Sequence, residues 1–277
     1  MSTQKQDLVL FSDNSILSED ILSLEEPHLS VISFSQGTSP SWLINSLVEN
    51  ALVGTASQVN RDLLQRRANR TNTIVISFSR PLDSYVKGCK RMGLDLGSEK
   101  NFEFIDCFSD LFSTHITNPN DSVSQVDKLF SQILDQINKS GHRKVIFLEA
   151  PEILLSATNI SSYDMLKYCF HINKLCTQLF VISACDSPQI VSVLASLPKN
   201  PVYKITDFLI KLYHRSSLNI SLQSLTTGRT DDITGRLTIT RGCIPYINIP
   251  ELQYTFVREQ EYVYYLHKES NVDLYFL

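Results

Sequence analysis

The sequence has few glycines and none of the glycine-rich loops that hold phosphates or dinucleotides. Nine glycines occur among 277 residues, and a lysine follows none of them. The pair with phosphate-loop spacing, Gly88 and Gly93, is followed by Leu94 and Asp95, so G-x-x-x-x-G-K-[ST] is absent. G-x-G-x-x-G, G-x-S-x-G and H-E-x-x-H are absent as well. The sequence therefore lacks the usual signatures of nucleotide binding, serine hydrolysis and zinc proteolysis.

Long apolar runs are also missing. Those at 145–148 and 179–182 extend over a few residues, whereas a membrane-spanning helix needs about 20. Residues 1–15 contain one short apolar block and no small-residue cleavage site, so we expect neither a membrane protein nor a secreted one. The six cysteines form no C-x-x-C pair. We therefore predict reduced, mostly buried thiols in a cytoplasmic and nuclear protein.

Charge is distributed unevenly along the chain. The whole sequence carries a net charge of -4, but residues 61–91 contain eight basic and two acidic residues, a local charge of +6. The rest of the chain therefore carries -10. A solvated loop and helix face is the simpler interpretation of this basic segment. The alternative is a surface that attracts RNA phosphates or an acidic partner subunit.

Between residues 28 and 187, short apolar runs alternate with segments of helical period. The runs at 29–34, 73–78, 102–107, 144–149 and 179–184 are β-rich and apolar throughout. Between them, spacings such as that of Leu43, Leu47 and Ala51 predict amphipathic helices. Strands that are buried on both faces are typical of a parallel sheet covered by helices. This part is predicted to be an α/β sandwich.

After residue 205 the pattern changes. A helix is predicted over 206–214, followed by period-two alternation at 218–223 and 236–240 and by a β-rich stretch at 262–266. Such alternation indicates that one sheet face is solvated, so we expect antiparallel strands. No linker separates the two parts. We therefore predict a single domain, 1–277, of which 205–277 is an antiparallel, β-rich extension.

The carboxyl edge of a parallel sheet is where ligands bind in open α/β folds. Glu149 ends the fourth predicted strand, where phosphoryl-transfer enzymes keep an acid for magnesium or water, and Glu152 follows it. The first strand-to-helix turn, 36–41, offers no glycine–lysine cradle opposite them. An acid at a solvated strand end is therefore the simpler interpretation of Glu149.

Two loops are predicted to open on the same edge, at 150–161 and 186–204. The second contains Lys199 and Lys204, which are candidates for RNA contact. The six histidines are scattered along the chain, so no metal site is expected.

These features together resemble a RecA-like ATPase domain that lacks its nucleotide motif. We therefore expect an α/β fold with a mostly parallel central sheet, flanking helices and antiparallel strands at the C-terminal end. Further motifs, in their order and spacing over essentially the whole chain, resemble the sixth-subunit family of fungal Elongator. They are Gln6-Asp7-Leu8-Val9-Leu10-Phe11, Trp42-Leu43-Ile44-Asn45, Glu149-Ala150-Pro151-Glu152, Thr227-Gly228 and Thr234-Gly235.

The resemblance implies a non-catalytic role in a hetero-hexameric ring formed with Elongator subunits four and five. Such a ring binds tRNA, releases it in an ATP-dependent way and docks on the catalytic Elongator lobe, which modifies wobble uridine (5-carbonylmethyl type). It implies no cofactor bound by this chain alone, with ATP only at ring interfaces. Arg241, at the end of a predicted strand, and Glu149 are the candidates for contact with nucleotide at an interface.

Two other functions are carried as alternatives. The first is an active ATPase with a divergent phosphate loop, in which the turn at 36–41 and Glu149 would hold the nucleotide. The second is a small-molecule enzyme of the doubly wound class. It is disfavoured because the sequence shows neither a cofactor cradle nor a paired nucleophile and base.

Overall fold

The chain folds around one continuous sheet. The computed structural model describes residues 4–11, 17–18, 22, 27–63, 65–67, 70–141, 143–186, 200–225, 232–243, 257–267 and 271–277. Within these residues nine strands form a sheet in the order β3-β2-β4-β5-β1-β6-β7-β8-β9. The strands are β1 His28–Phe34, β2 Asn72–Ser77, β3 Phe102–Asp106, β4 Lys144–Glu149, β5 Gln178–Ala184, β6 Leu218–Gln223, β7 Gly235–Arg241, β8 Gln260–Leu266 and β9 Val272–Phe276.

Six α-helices in the described part of the chain pack on this sheet. They are α1 Ser41–Val53, α2 Leu82–Arg91, α3 Ser122–Lys139, α4 Glu152–Ala157, α5 Ser162–Asn173 and α6 Pro201–Tyr213. Short helical turns occur at Val9–Phe11, Leu111–His115 and Pro119–Asp121. None of the described helices combines the length and apolar character needed to cross a bilayer.

Strands β1 to β6 form the parallel part of the sheet. β1, β4 and β5 are buried almost along their whole length, because helices cover both faces. One core cluster includes Leu47 of α1 and Tyr85 of α2, and the other includes Phe130 of α3 and Phe208 of α6. The predicted α/β sandwich is confirmed, and the five predicted strands agree with β1 to β5 to within one residue at each end.

The antiparallel part begins one strand later than expected. β6 is parallel to β1, with Leu218 opposite Ser30, and only β7, β8 and β9 are antiparallel to their neighbours. Buried and partly exposed residues do alternate along β6 and β7. Alternation of buried and exposed residues indicates that one face of the sheet is less covered, but it does not indicate strand direction. The direction of β6 follows from the crossover through α6. β9 was not predicted.

The cysteines are free thiols, as predicted, and four of them are buried. Burial raises the pKa of Cys169 to about 12, so this thiol is unreactive at neutral pH. Among the residues that the structure describes, no group of three or more His, Cys, Asp or Glu side chains is placed to hold a metal ion.

Candidate functional site

Glu149 lies at the centre of the carboxyl edge of the sheet. It is the last residue of β4, and its register partners are Ser77 at the end of β2 and Ile182 in β5. Glu149 is only 4% exposed, so the interpretation as an acid at a solvated strand end was wrong. Strands on both sides and the chain that follows β2 cover it.

Three side chains donate hydrogen bonds to the Glu149 carboxylate. Ser77 Oγ donates to Oε2 at 2.8 Å, and the Tyr85 hydroxyl donates to the same oxygen. Arg80 Nε donates to Oε1 at 2.9 Å, and Arg80 Nη2 forms an ion pair with that oxygen. Arg80 Nη1 also donates to Ser41 Oγ, at the start of α1, over 2.6 Å. These five residues, Ser41, Ser77, Arg80, Tyr85 and Glu149, are called the Arg80 cluster below.

The electrostatics of the Arg80 cluster favour a fixed ion pair. Burial by itself lowers the pKa of Arg80, but Tyr85 and the Glu149 carboxylate outweigh it, and the pKa lies above its ordinary value. Burial, followed by the negative charge of Glu149, raises the pKa of Tyr85 as well. Tyr85 therefore stays neutral as a donor, and its ring lies 4.6 Å from the Arg80 guanidinium carbon.

This arrangement leaves little opportunity for phosphoryl chemistry in the chain. The Arg80 guanidinium links Glu149, the acid at the strand end, to Ser41, the first residue of α1. In a phosphoryl-transfer site, phosphate and magnesium lie between these two positions. Both Glu149 oxygens already accept hydrogen bonds. In the turn before α1, the Gln36 amide donates to Asp186 Oδ1 at 2.6 Å. A carboxylate thus occupies an amide that a phosphate loop would offer to its ligand.

Glu152, the first residue of α4, is also buried, at 7% exposure. Its Oε1 accepts a hydrogen bond from the Ala184 amide at 2.9 Å, which ties α4 to the end of β5. Burial raises the pKa of Glu152 to about 7, and the nearby charge of Glu149 acts in the same direction. The predicted loop at 150–161 therefore contains a short helix whose first side chain points into the core.

Of the two lysines predicted to contact RNA at this edge, the structure describes Lys204. Lys199 lies outside the described residues. Lys204 is in α6 rather than in a loop, and its Nζ donates to Thr158 O at 2.8 Å and to Ile160 O at 3.1 Å. Desolvation by burial lowers its pKa. Contact of Lys199 or Lys204 with RNA stays a prediction.

Arg241 and Glu149 lie at opposite edges of the sheet. Arg241 ends β7 opposite Leu218, the first residue of β6, and therefore sits at the amino edge of the parallel strands. Its amide donates to Glu259 Oε1 at 3.0 Å and its Nε donates to Val257 O at 3.3 Å. One copy of the chain cannot place Arg241 and Glu149 on the same ligand, and a shared nucleotide site with a neighbour stays a prediction.

The cations of the basic segment 61–91 do not all share one surface. Arg80 belongs to the cluster described above, and Arg70 donates to Asn50 Oδ1 at 2.9 Å near the end of α1. Arg66 forms an exposed ion pair with Glu99 at 3.6 Å. Other cations of the segment, such as Lys87, are exposed on α2. The interpretation as a purely solvated face was therefore wrong for Arg70 and Arg80.

Sequence reasoning missed Arg80 and Tyr85 as partners of Glu149. The contact follows from the strand order, which the sequence analysis did not derive: β2 and β4 are adjacent in the sheet, so residues that follow β2 meet the end of β4. Arg80 was instead counted with its basic sequence neighbours.

Comparisons with known proteins agree with the fold and with the sequence resemblance. No protein-family model matches the chain. Elongator complex protein 6 of Saccharomyces cerevisiae is 28% identical over 278 residues, which is 97% of each chain. The Elongator complex protein 6 homolog of Schizosaccharomyces pombe is 26% identical over 180 residues, 62% of this chain and 67% of the relative. The predicted resemblance to the sixth Elongator subunits is confirmed.

The similarity to a solved structure supports the fold and nothing beyond it. The flagellar accessory protein FlaH from Methanocaldococcus jannaschii matches 99% of both chains with a TM-score of 0.52 at 12% identity. With the mostly parallel sheet, the flanking helices and the antiparallel C-terminal strands, this likeness confirms the predicted RecA-like fold.

Proposed function

We propose that this chain, a homologue of Elongator complex protein 6, is a non-catalytic structural subunit of the Elongator complex. The observation that carries the proposal is the similarity to the budding-yeast protein over 97% of both chains. The Arg80 cluster supports the non-catalytic part, because the acid that phosphoryl transfer would require is buried and paired with an arginine.

In finer detail, we propose that the chain enters a hetero-hexameric ring with Elongator subunits four and five. The ring binds tRNA and supports the modification of wobble uridine by the catalytic Elongator lobe, in the cytoplasm and the nucleus. ATP binds at ring interfaces rather than within this chain, and Arg241 is the residue of this chain proposed to reach a neighbour's phosphates. Its exposed position at the end of β7 is compatible with that role.

Affinity purification of the tagged full chain from its own cells, with mass spectrometry, tests the proposal. Elongator subunits four and five are expected in amounts equal to that of the chain, with the catalytic lobe present at lower salt. A monomer without either partner would overturn the assignment. In the reconstituted ring, Arg241→Ala is expected to weaken ATP binding while the ring stays assembled; unchanged ATP binding removes Arg241 from the interface site.

Nucleotide titration of the purified full chain distinguishes the proposed non-catalytic role from the alternative, a divergent ATPase. We expect isothermal titration with Mg-ATP to give no binding heat, because Arg80 occupies the acid that would hold magnesium and Asp186 occupies a backbone amide that would contact phosphate. Saturable binding that Glu149→Gln abolishes, with the variant still folded by circular dichroism, would favour the ATPase.

A further inference from the structure

Two adjoining cavities form a groove between α1, α2 and the last strands of the sheet. The first has a volume of about 460 Å³, and its lining includes Trp42, Asn45, Lys87, Met92 and Leu266. The second, about 750 Å³, is lined by residues of the N-terminal segment, of 57–61 and of the β8–β9 hairpin. The cavities share Gln58, Arg91, Met92 and His267. We call them together the α2–β8 groove.

The inner part of the α2–β8 groove contains apolar side chains. Trp42, Met92 and Leu266 provide the apolar lining. Trp42 is 5% exposed and Asn45 is 7% exposed, yet Trp42 Nε1 and Asn45 Oδ1 have no hydrogen-bond partner among the described residues. Both atoms have less than 1 Å² of accessible surface, so they lie behind the wall of the groove and are not presented to a ligand.

The rim of the groove is basic. Lys87 and Arg91 are one turn apart on α2 and both are exposed, and Lys5 and Arg61 line the second cavity. The acidic residue of that lining, Asp273, already pairs with Lys5 at 2.6 Å and contacts His267 at 2.8 Å. Positive charge is therefore in excess, and the groove attracts an anionic ligand.

We propose that the α2–β8 groove binds an acidic polypeptide segment that inserts one aliphatic or aromatic side chain between Trp42, Met92 and Leu266. Acidic side chains of the segment pair with Lys87 and Arg61 on the rim. The proposal concerns this surface alone and does not depend on which complex the chain joins.

RNA fits the groove less well. A basic rim alone would suit RNA phosphates as well as carboxylates. Single-stranded nucleic acids also stack their bases on exposed aromatic rings. The Trp42 ring is buried and packs against Tyr264 with ring centroids 5.4 Å apart, so it offers no stacking platform.

Fluorescence anisotropy with the full chain tests this inference. The probes are fluorescein-labelled Asp-Glu-Asp-X-Asp-Glu-Asp peptides in which X is Leu, Phe or Gly, together with a peptide in which Lys replaces every acid and a ten-nucleotide single-stranded RNA. Binding is expected for Leu or Phe, at least tenfold weaker for Gly, and weaker as salt rises. The basic peptide is expected not to bind.

Two charge reversals on the same helix provide the matched comparison. Lys87→Glu changes the rim and is expected to weaken binding of the Leu or Phe peptide about tenfold or more. Lys90→Glu makes the same change of net charge at an exposed residue outside both cavity linings, and is expected to leave affinity within about twofold. The inference is overturned if no acidic peptide binds at 1 mM, if both variants weaken binding equally, or if the RNA binds more tightly than every acidic peptide.

Discussion

Substitution of Arg80 by methionine is the most direct probe of the Arg80 cluster. Methionine keeps much of the length and apolar volume of the side chain but removes the guanidinium. The change deletes the ion pair with Glu149 and the hydrogen bond to Ser41. Ser77 and Tyr85 still donate to the carboxylate. Glu149 is thus left as a buried charge with two neutral donors and no cation.

The expected loss of stability follows from the burial of the two partners. The Glu149 side chain is 5% exposed and that of Arg80 is 23% exposed. Removing one partner of a buried ion pair typically costs about 3–5 kcal/mol, because the remaining charge is uncompensated. Since Ser77 and Tyr85 remain, we expect the lower end of that range, about 3 kcal/mol. For a chain of this size the melting temperature should fall by roughly 6 °C or more.

Urea unfolding at pH 8, followed by circular dichroism, measures this loss. The double variant Arg80→Met/Glu149→Gln removes both charges and is expected to regain about half of the lost free energy. Arg66→Met is the matched control, because its pair with Glu99 is 3.6 Å long and its side chain is 55% exposed. That variant should change stability by at most about 0.5 kcal/mol.

Two outcomes would refute this reasoning. A loss below about 1 kcal/mol for Arg80→Met would place the pair in the range of exposed ion pairs. A double variant as unstable as the sum of the two single variants would show that Arg80 and Glu149 do not interact energetically.

Three further predictions concern buried ionisable groups. The pKa of Glu152 is raised from 4.5 to about 7, so its contribution to stability is complete below pH 4.5 and is lost as pH rises through 7. Glu152→Gln should therefore stabilise the chain more at pH 8 than at pH 5, by up to about 3 kcal/mol in urea unfolding. Equal effects at both pH values would contradict this prediction. Burial lowers the pKa of His28 to about 4, so stability present above pH 6.5 should decline as pH falls through 4, and NMR titration should find the imidazole neutral at pH 5.5. Lys204→Met removes the donor to two carbonyls and should cost about 2–3 kcal/mol. Lys211, whose side chain is 44% exposed, is the comparison, and Lys211→Met should cost about 0.5 kcal/mol. Unchanged stability of Lys204→Met with weaker tRNA binding by the ring would instead make Lys204 an RNA contact.

The central fold could be predicted because its signals are local. The apolar runs at β1, β4 and β5 are buried on both faces and remain legible as strands without knowledge of their partners. The direction of β6 could not be derived in the same way. Its alternating pattern is equally compatible with parallel and antiparallel neighbours, and the outcome depends on where the α6 crossover returns the chain.

The candidate site was less predictable because its contacts are long-range. Glu149 was identified from its place at a strand end, but its burial depends on Arg80, 69 residues earlier in the sequence. Lys204 was read as a loop cation because the helix start at Pro201, with Asn200 as its N-cap, was not recognised. In both cases the charge was identified correctly and its partner was supplied by tertiary structure.

The pairing of Glu149 with Arg80 connects the stability of the sheet with the proposed absence of catalysis. A carboxylate buried at the end of β4 requires a compensating cation, since an unpaired buried charge costs several kcal/mol. In phosphoryl-transfer sites magnesium supplies that charge when nucleotide is bound. Here Arg80 supplies it permanently from within the chain. Binding of Mg-ATP at this edge would therefore first require displacement of Arg80, so the interaction that stabilises the strand ends also opposes the chemistry that the fold otherwise permits.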